Sequence, residues 1–130
     1  MLQRTEISQD VLEFIVRRID SVPHLETLLL LWESPASVWA EEEIAARVYV
    51  SRARARTILE DLARNGLITA TPGEPLRHTY NPAWDDRQLM QEIAFAYRRH
   101  LVQITSFIHT KASPDAVKEF ARAFELKKQD

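Results

Sequence analysis

At 130 residues the chain has the length of one domain and can bury a shared core without covalent staples. It has no cysteine, which excludes disulfides and thiolate metal sites, and its four histidines, His24, His78, His100 and His109, have no metal-ligand spacing, so no metal or cofactor is expected. The formal net charge of −2 argues against a protein that coats nucleic acid, but the charge is unevenly spread: residues 1–46 hold three basic and nine acidic side chains, residues 47–64 five and two.

Leu12, Ile15, Val16 and Ile19 repeat with helical spacing, so residues 7–19 read as an amphipathic helix that Ser8 can cap. Asp20-Ser21 interrupts it. Pro23 then opens a second helix, apolar on nearly every side from Leu28 to Leu31 and running to about Glu33, the pattern of a helix at the centre of a small domain. Ser34 to Ser37 form a loop, and Val38-Trp39 suit a short strand or a staple into a third helix, AEEEIAARVYV, whose Glu41, Glu42 and Glu43 complement the positive end of the helix dipole. Val50-Ser51 ends that helix and Ser51 caps a fourth, residues 51–65, which Gly66 terminates as a left-handed C-cap. Two short strands, 67–71 and 76–80, flank the turn Pro72-Gly73-Glu74-Pro75, and Asn81-Pro82 closes the hairpin.

From Asp85 to about Thr110 the residues Leu89, Ile93, Tyr97, Leu101, Ile104 and Ile108 recur in steps of three or four, which predicts one continuous helix of about 39 Å at 1.5 Å per residue. Ser113-Pro114-Asp115 caps a last helix with Val117, Phe120 and Phe124 on one stripe. Tyr80 and Trp84 read as packing of the hairpin against the last helices, Trp32 as core and Trp39 as a staple. No apolar run approaches the roughly 20 residues that cross a bilayer. The N-terminal MLQRTEISQD lacks the apolar stretch of a signal peptide, so a cytoplasmic protein with no membrane partner is expected.

The order helix, helix, tight turn, helix, glycine, hairpin, together with Ala45-Ala46, Ser51, Ile58, Leu59, Leu62 and Gly66-Leu67-Ile68, resembles the winged helix-turn-helix of MarR-type and related bacterial transcriptional regulators. The resemblance covers about residues 22–82. It implies a fold that is mainly α with a small β-hairpin wing, a winged helix-turn-helix flanked by N- and C-terminal helices. Ala40 stands where such helices usually have a capping Thr or Ser. The hairpin tip is acidic, and the charged Asp-x-Arg signature of MarR-type wings is absent. One domain is expected over 1–130, its winged core at 22–82, with 1–21 and 83–130 as flanking helices that pair two copies; the alternative is that they fold back on the same core as a monomer. Part of the 39 Å stripe needs such a partner.

At 100° per residue, Ala55, Ile58, Leu59 and Leu62 share the inward side of the fourth helix, and Ala53, Arg56, Thr57, Glu60 and Arg64 the opposite side. In a helix lying in the major groove, residues of the N-terminal part of the exposed face meet base edges and the flanks meet phosphates. Arg56 and Thr57 are then the base-contact residues, and Ser51, Arg52 and Arg54 the phosphate contacts. Ala53 is small enough for close approach. Glu60 either accepts from a cytosine amino group or holds Arg56 and Arg64 through i,i+4 pairs. Arg77 and His78 on the second hairpin strand are placed to touch backbone phosphate.

The expected function is therefore a transcriptional regulator that binds double-stranded DNA as a homodimer, with residues 51–65 as recognition helix; whether a small-molecule effector binds is left open. The alternative is a winged-helix module for protein partners without direct DNA binding. No nucleophile elbow, Ser-His-Asp order or phosphate-cradling loop is visible, so no enzymatic activity is expected, and Asp85-Asp86 suits the first turn of a helix better than paired catalytic acids.

Overall fold

The computed structural model describes residues 7–84 and 86–111. It is mainly helical with one small antiparallel sheet: α1 (Gln9–Arg18), α2 (Val22–Glu33), β1 (Trp39–Ala40), α3 (Glu41–Val48), α4 (Arg52–Arg64), β2 (Ile68–Thr71), β3 (Arg77–Tyr80), α5 (Arg87–Arg99) and α6 (Leu101–Thr110). The last helix expected from the sequence, over 114–127, lies outside the described residues. Two compact units divide the chain, one of Ser21–Asp86 and one of Met1–Asp20 with Arg87–Asp130. Among the described residues no helix is long and apolar enough to cross a membrane.

In the unit of Ser21–Asp86, α2 lies against α3, α4 and β3, and buries His24, Leu25, Thr27, Leu28, Leu29 and Leu31. That distribution explains its sequence: with neighbours on several sides, few positions are left for a solvated face. Helix α3 buries Ile44 and Val48 and packs on α4. Ala40 precedes α3 without a side-chain acceptor, so only the reciprocal half of a capping box forms, the Glu43 carboxylate accepting from the Ala40 N–H at 2.8 Å. The helix ends at Val48, two residues earlier than its sequence suggests. Tyr49 takes a left-handed conformation (φ 60°, ψ 49°), and the Val50 N–H returns to the Ala45 carbonyl at 3.1 Å. Those bonds satisfy carbonyls that the helix end would otherwise leave open, and they turn the chain sharply into α4.

The four residues of α4 that helical spacing sends inward, Ala55, Ile58, Leu59 and Leu62, are the four buried ones. Burying each large apolar side chain is worth about 1.5–3 kcal/mol, against a few tenths for an exposed ion pair, so this face orients the helix. Ser51 caps α4 by accepting from the Arg54 N–H at 3.0 Å. At the other end Gly66 (φ 78°) is the left-handed residue, with Leu67 N–H on the Leu62 carbonyl and Gly66 N–H on that of Ala63, both at 3.0 Å. Strand order is β1-β3-β2, all neighbours antiparallel. Val38-Trp39 thus leads into a real strand, though a two-residue one, pairing Trp39 with His78 and Ala40 with Arg77. Tyr80 and Trp84 pack edge to face on each other at 6.1 Å.

In the other unit α1 lies against α5, and α5 against α6. Ser8 caps α1 by accepting from the Val11 N–H, and its hydroxyl donates to Glu92 on α5 at 3.3 Å. The continuous helix expected from Asp85 to Thr110 is not formed. His100 leaves the helical region (φ −126°, ψ 48°) and divides the run into α5 and α6, about 20 and 15 Å long. No glycine or proline marks the break. Its effect is a change of phase in the apolar stripe: Leu101, in step with Tyr97, is 49 % exposed, whereas Phe107, out of step, is 1 % exposed. The single 39 Å stripe that would need a second copy is therefore not formed.

Candidate nucleic-acid interface

The chain places Ser51, Arg52, Ala53, Arg54, Arg56, Thr57 and Glu60 on the exposed side of α4, all of them open to solvent. Ser51 uses one lone pair in the cap, and its hydroxyl proton remains able to donate. The Thr57 hydroxyl donates back to the Ala53 carbonyl at 3.3 Å, which leaves its methyl group and an acceptor lone pair facing outward.

The arginines take different partners. Arg56 meets Glu41, on the first turn of α3, through Nε to both carboxylate oxygens at 3.0 and 3.1 Å and Nη2 to Oε2 at 2.9 Å. Arg52 Nε reaches the same Oε2 at 3.4 Å, one turn away on the same side of α4. Arg54 lies on the other flank, where Nη2 donates to Ser21 Oγ at 3.1 Å. Arg64 pairs with Asp61 at 3.0 Å. In place of i,i+4 hydrogen bonds to Glu60, Arg56 bonds across to α3 and Arg64 within its own turn, while the Glu60 charge still helps to raise the Arg56 pKa. The hydrogen bonds from Arg56, ahead of its charge and of the contributions of Arg52, hold the Glu41 carboxyl below the ordinary 4.5 in spite of opposing desolvation. The same hydrogen bonds, then the Glu41 charge, raise the pKa of Arg56.

Arg77 is exposed, but His78 is not available as a phosphate contact. A pleated strand sends neighbouring side chains to opposite faces. His78 turns inward and is 7 % exposed, its Nδ1 without a hydrogen-bond partner. Desolvation, the leading cause, pulls its pKa below the ordinary 6.5, against the pull of Glu41 and Glu60.

Three features of this surface escape sequence reading. Glu41 stands 15 residues from Arg56, beyond any local spacing rule. Tyr49, between α3 and α4, is 92 % exposed. Ser21, His24 and Asp61 join in a chain, contrary to the expectation of no Ser-His-Asp order, because Asp61 lies 37 residues from His24 and only the fold brings it close: Ser21 Oγ to His24 Nδ1 at 2.6 Å, His24 Nε2 to Asp61 Oδ2 at 2.8 Å. A Ser-His-Asp chain can serve nucleophilic catalysis. Here Ser21 Oγ also accepts from the His24 N–H at 3.4 Å and from Arg54, and the His24 ring is buried, so the chain caps α2 and ties it to α4. Asp61 is held below its ordinary 3.8 first by the His24 hydrogen bond, and further by Arg64.

Comparison with protein-family models, with curated proteins and with solved structures finds no match to this chain.

Proposed function

We propose that this chain is a winged helix-turn-helix protein that binds double-stranded DNA through α4 and acts as a cytoplasmic transcriptional regulator, not as an enzyme. The observation that carries the reading is the division of α4 into a buried apolar face and an exposed face whose first turns present Ser51, Arg52, Arg54 and Arg56. A helix of that build, joined to the preceding one by a tight turn and followed by a hairpin, suits the major groove. Its early exposed residues then reach base edges while flanking cations neutralise phosphates.

In this arrangement Ser51, Arg52 and Arg54 hold the backbone, and Arg56 and Thr57 read bases, with Glu60 able to accept from a cytosine amino group. Arg77 is the hairpin's contact with phosphate. Two copies pair through the unit of α1, α5 and α6, where Phe95, Leu101 and Val102 are 42, 49 and 71 % exposed, and so present two α4 helices to half-sites about one helical turn apart. A protein partner in place of DNA is the second reading, favoured by the Glu41 carboxylate that already engages Arg52 and Arg56.

The test is binding of the protein to labelled random-sequence duplex DNA across a salt series, beside an Arg52→Ala/Arg54→Ala/Arg56→Ala variant whose melting curve shows that it folds. The expected result is affinity that falls steeply with salt in the wild type and a slope shallower by about two in the variant, one for each phosphate-binding arginine. Equal binding by the two proteins, or no binding at low salt, supports the protein-partner reading instead.

A further inference from the structure

Glu41 can act on α4 in two opposite ways. It can withhold the arginines from any ligand, or it can hold one of them in a fixed pose for use. The exposures separate the two. The Glu41 side chain is 18 % exposed, that of Arg56 62 %. The carboxylate is the covered partner and the guanidinium lies on the solvent side of it, the reverse of a sequestered arginine.

The hydrogen-bond pattern carries this further. A guanidinium has five N–H groups in a rigid plane. Arg56 directs the Nε and Nη2 edge at Glu41. What remains is the far end of the plane, one N–H on each of Nη1 and Nη2 pointing outward in parallel, with a second N–H on Nη1. That pair matches two adjacent acceptors, and O6 and N7 of guanine in the major groove are such a pair.

Glu41 is itself well anchored. It follows Ala40, which is 3 % exposed, pairs with Arg77 in the sheet and has its N–H held by Glu43. Arg52 adds a second contact to the same oxygen at 3.4 Å. An arginine is costly to immobilise on binding, since its long side chain has many rotamers to lose. One already clamped along one edge loses less.

We propose that Glu41 is a positioning residue for base recognition: it clamps one edge of Arg56 so that the other is presented to a guanine. The proposal rests on the DNA-binding reading above and adds a specificity role for a residue on α3. Glu41 makes no contact with the base. Its carboxylate slightly weakens attraction to phosphate while it sharpens discrimination at one base pair, and affinity and specificity therefore respond to its removal in opposite directions.

The experiment is selection of binding sites from random duplex DNA with the wild-type protein, followed by affinity measurements on the enriched site and on its three substitutions at each position. Wild type, Arg56→Lys, Glu41→Gln and Glu41→Asp are compared, with melting curves to establish that each folds. The expected result is one guanine position at which Arg56→Lys loses preference. Glu41→Gln loses about tenfold of discrimination at that same position while its affinity for non-specific duplex holds or rises, and Glu41→Asp recovers part of the loss. If Glu41→Gln binds more tightly and keeps the full guanine preference, Glu41 only repels phosphate and the positioning role is overturned. If a site is enriched but no position depends on Arg56, the inference fails and the DNA reading stands. If no sequence binds at all, both fail together.

Discussion

Two carboxylates, Glu41 and Asp61, each hold a cationic or hydrogen-bonding partner at α4, and their surroundings make them different devices. Asp61 accepts from His24, a residue 2 % exposed, and its other oxygen takes Arg64. Glu41 accepts from Arg56 and Arg52, both more than half exposed. The first interaction joins α2 to α4 through an imidazole that is 2 % exposed, so a His24 ring that loses its acceptor has little access to water. The second has its exposure on the arginine side, so water or a ligand reaches the guanidinium groups rather than the carboxylate. The same ion-pair chemistry thus has a buried partner toward one end of α4 and exposed partners toward the other.

The largest expected effect on stability comes from the inner pair. Asp61→Ala leaves the His24 Nε2 hydrogen without an acceptor in the interior and is expected to cost about 1–3 kcal/mol in chemical denaturation. Glu41→Gln, which loosens an exposed cluster, changes the midpoint much less. Equal losses from the two substitutions would break the contrast between them.

A pH series sharpens it. His78 has a folded-state pKa below its ordinary 6.5, so between that value and the lower folded one the unfolded chain binds more protons than the folded chain. Stability then rises with pH across this window, and conversely is lost as pH falls below 6.5. A His78→Gln variant is expected to show a smaller drop than wild type between pH 7.5 and 5.5; parallel curves would show that the buried imidazole does not titrate with folding. Asp61 and Glu41, whose pKa values are lowered, contribute stability that disappears only at more acid pH, below their ordinary 3.8 and 4.5.

The smallest effect is expected at Tyr49. Its ring is almost fully exposed and its backbone is left-handed, a conformation that costs an ordinary residue about 1–2 kcal/mol, part of which glycine returns as greater freedom when unfolded. Tyr49→Gly should leave the melting temperature unchanged or raise it by a few degrees; a clear fall would mean that the ring makes a stabilising contact.

What was legible in the sequence follows the range of the interactions. The faces of α4, its Ser51 cap and its Gly66 terminus depend on neighbours within four or five positions, and helical spacing resolves them. The partner of Arg56 does not: a local rule selects Glu60, while the folded chain brings Glu41 closer. His78 faces inward beside the exposed Arg77, because the side chains of a strand alternate between its faces, which a grouping by adjacency ignores. The break at His100 hid behind unbroken three- and four-residue steps, since periodicity describes which residues are apolar and not where the ladder stops. The exposed side of α4 could be listed from the sequence alone, but the clamp that orders its arginines needed the tertiary structure.

A titration of isotope-labelled protein with a short duplex, followed through the backbone amide and arginine side-chain resonances, distinguishes binding through α4 from binding elsewhere. The largest shifts are expected on Ser51 to Glu60 and on the Arg56 Nε–H, with Arg77 next and little change at Asp61 or His24. Shifts confined to α5 and α6, with α4 unmoved at saturating duplex, would contradict it.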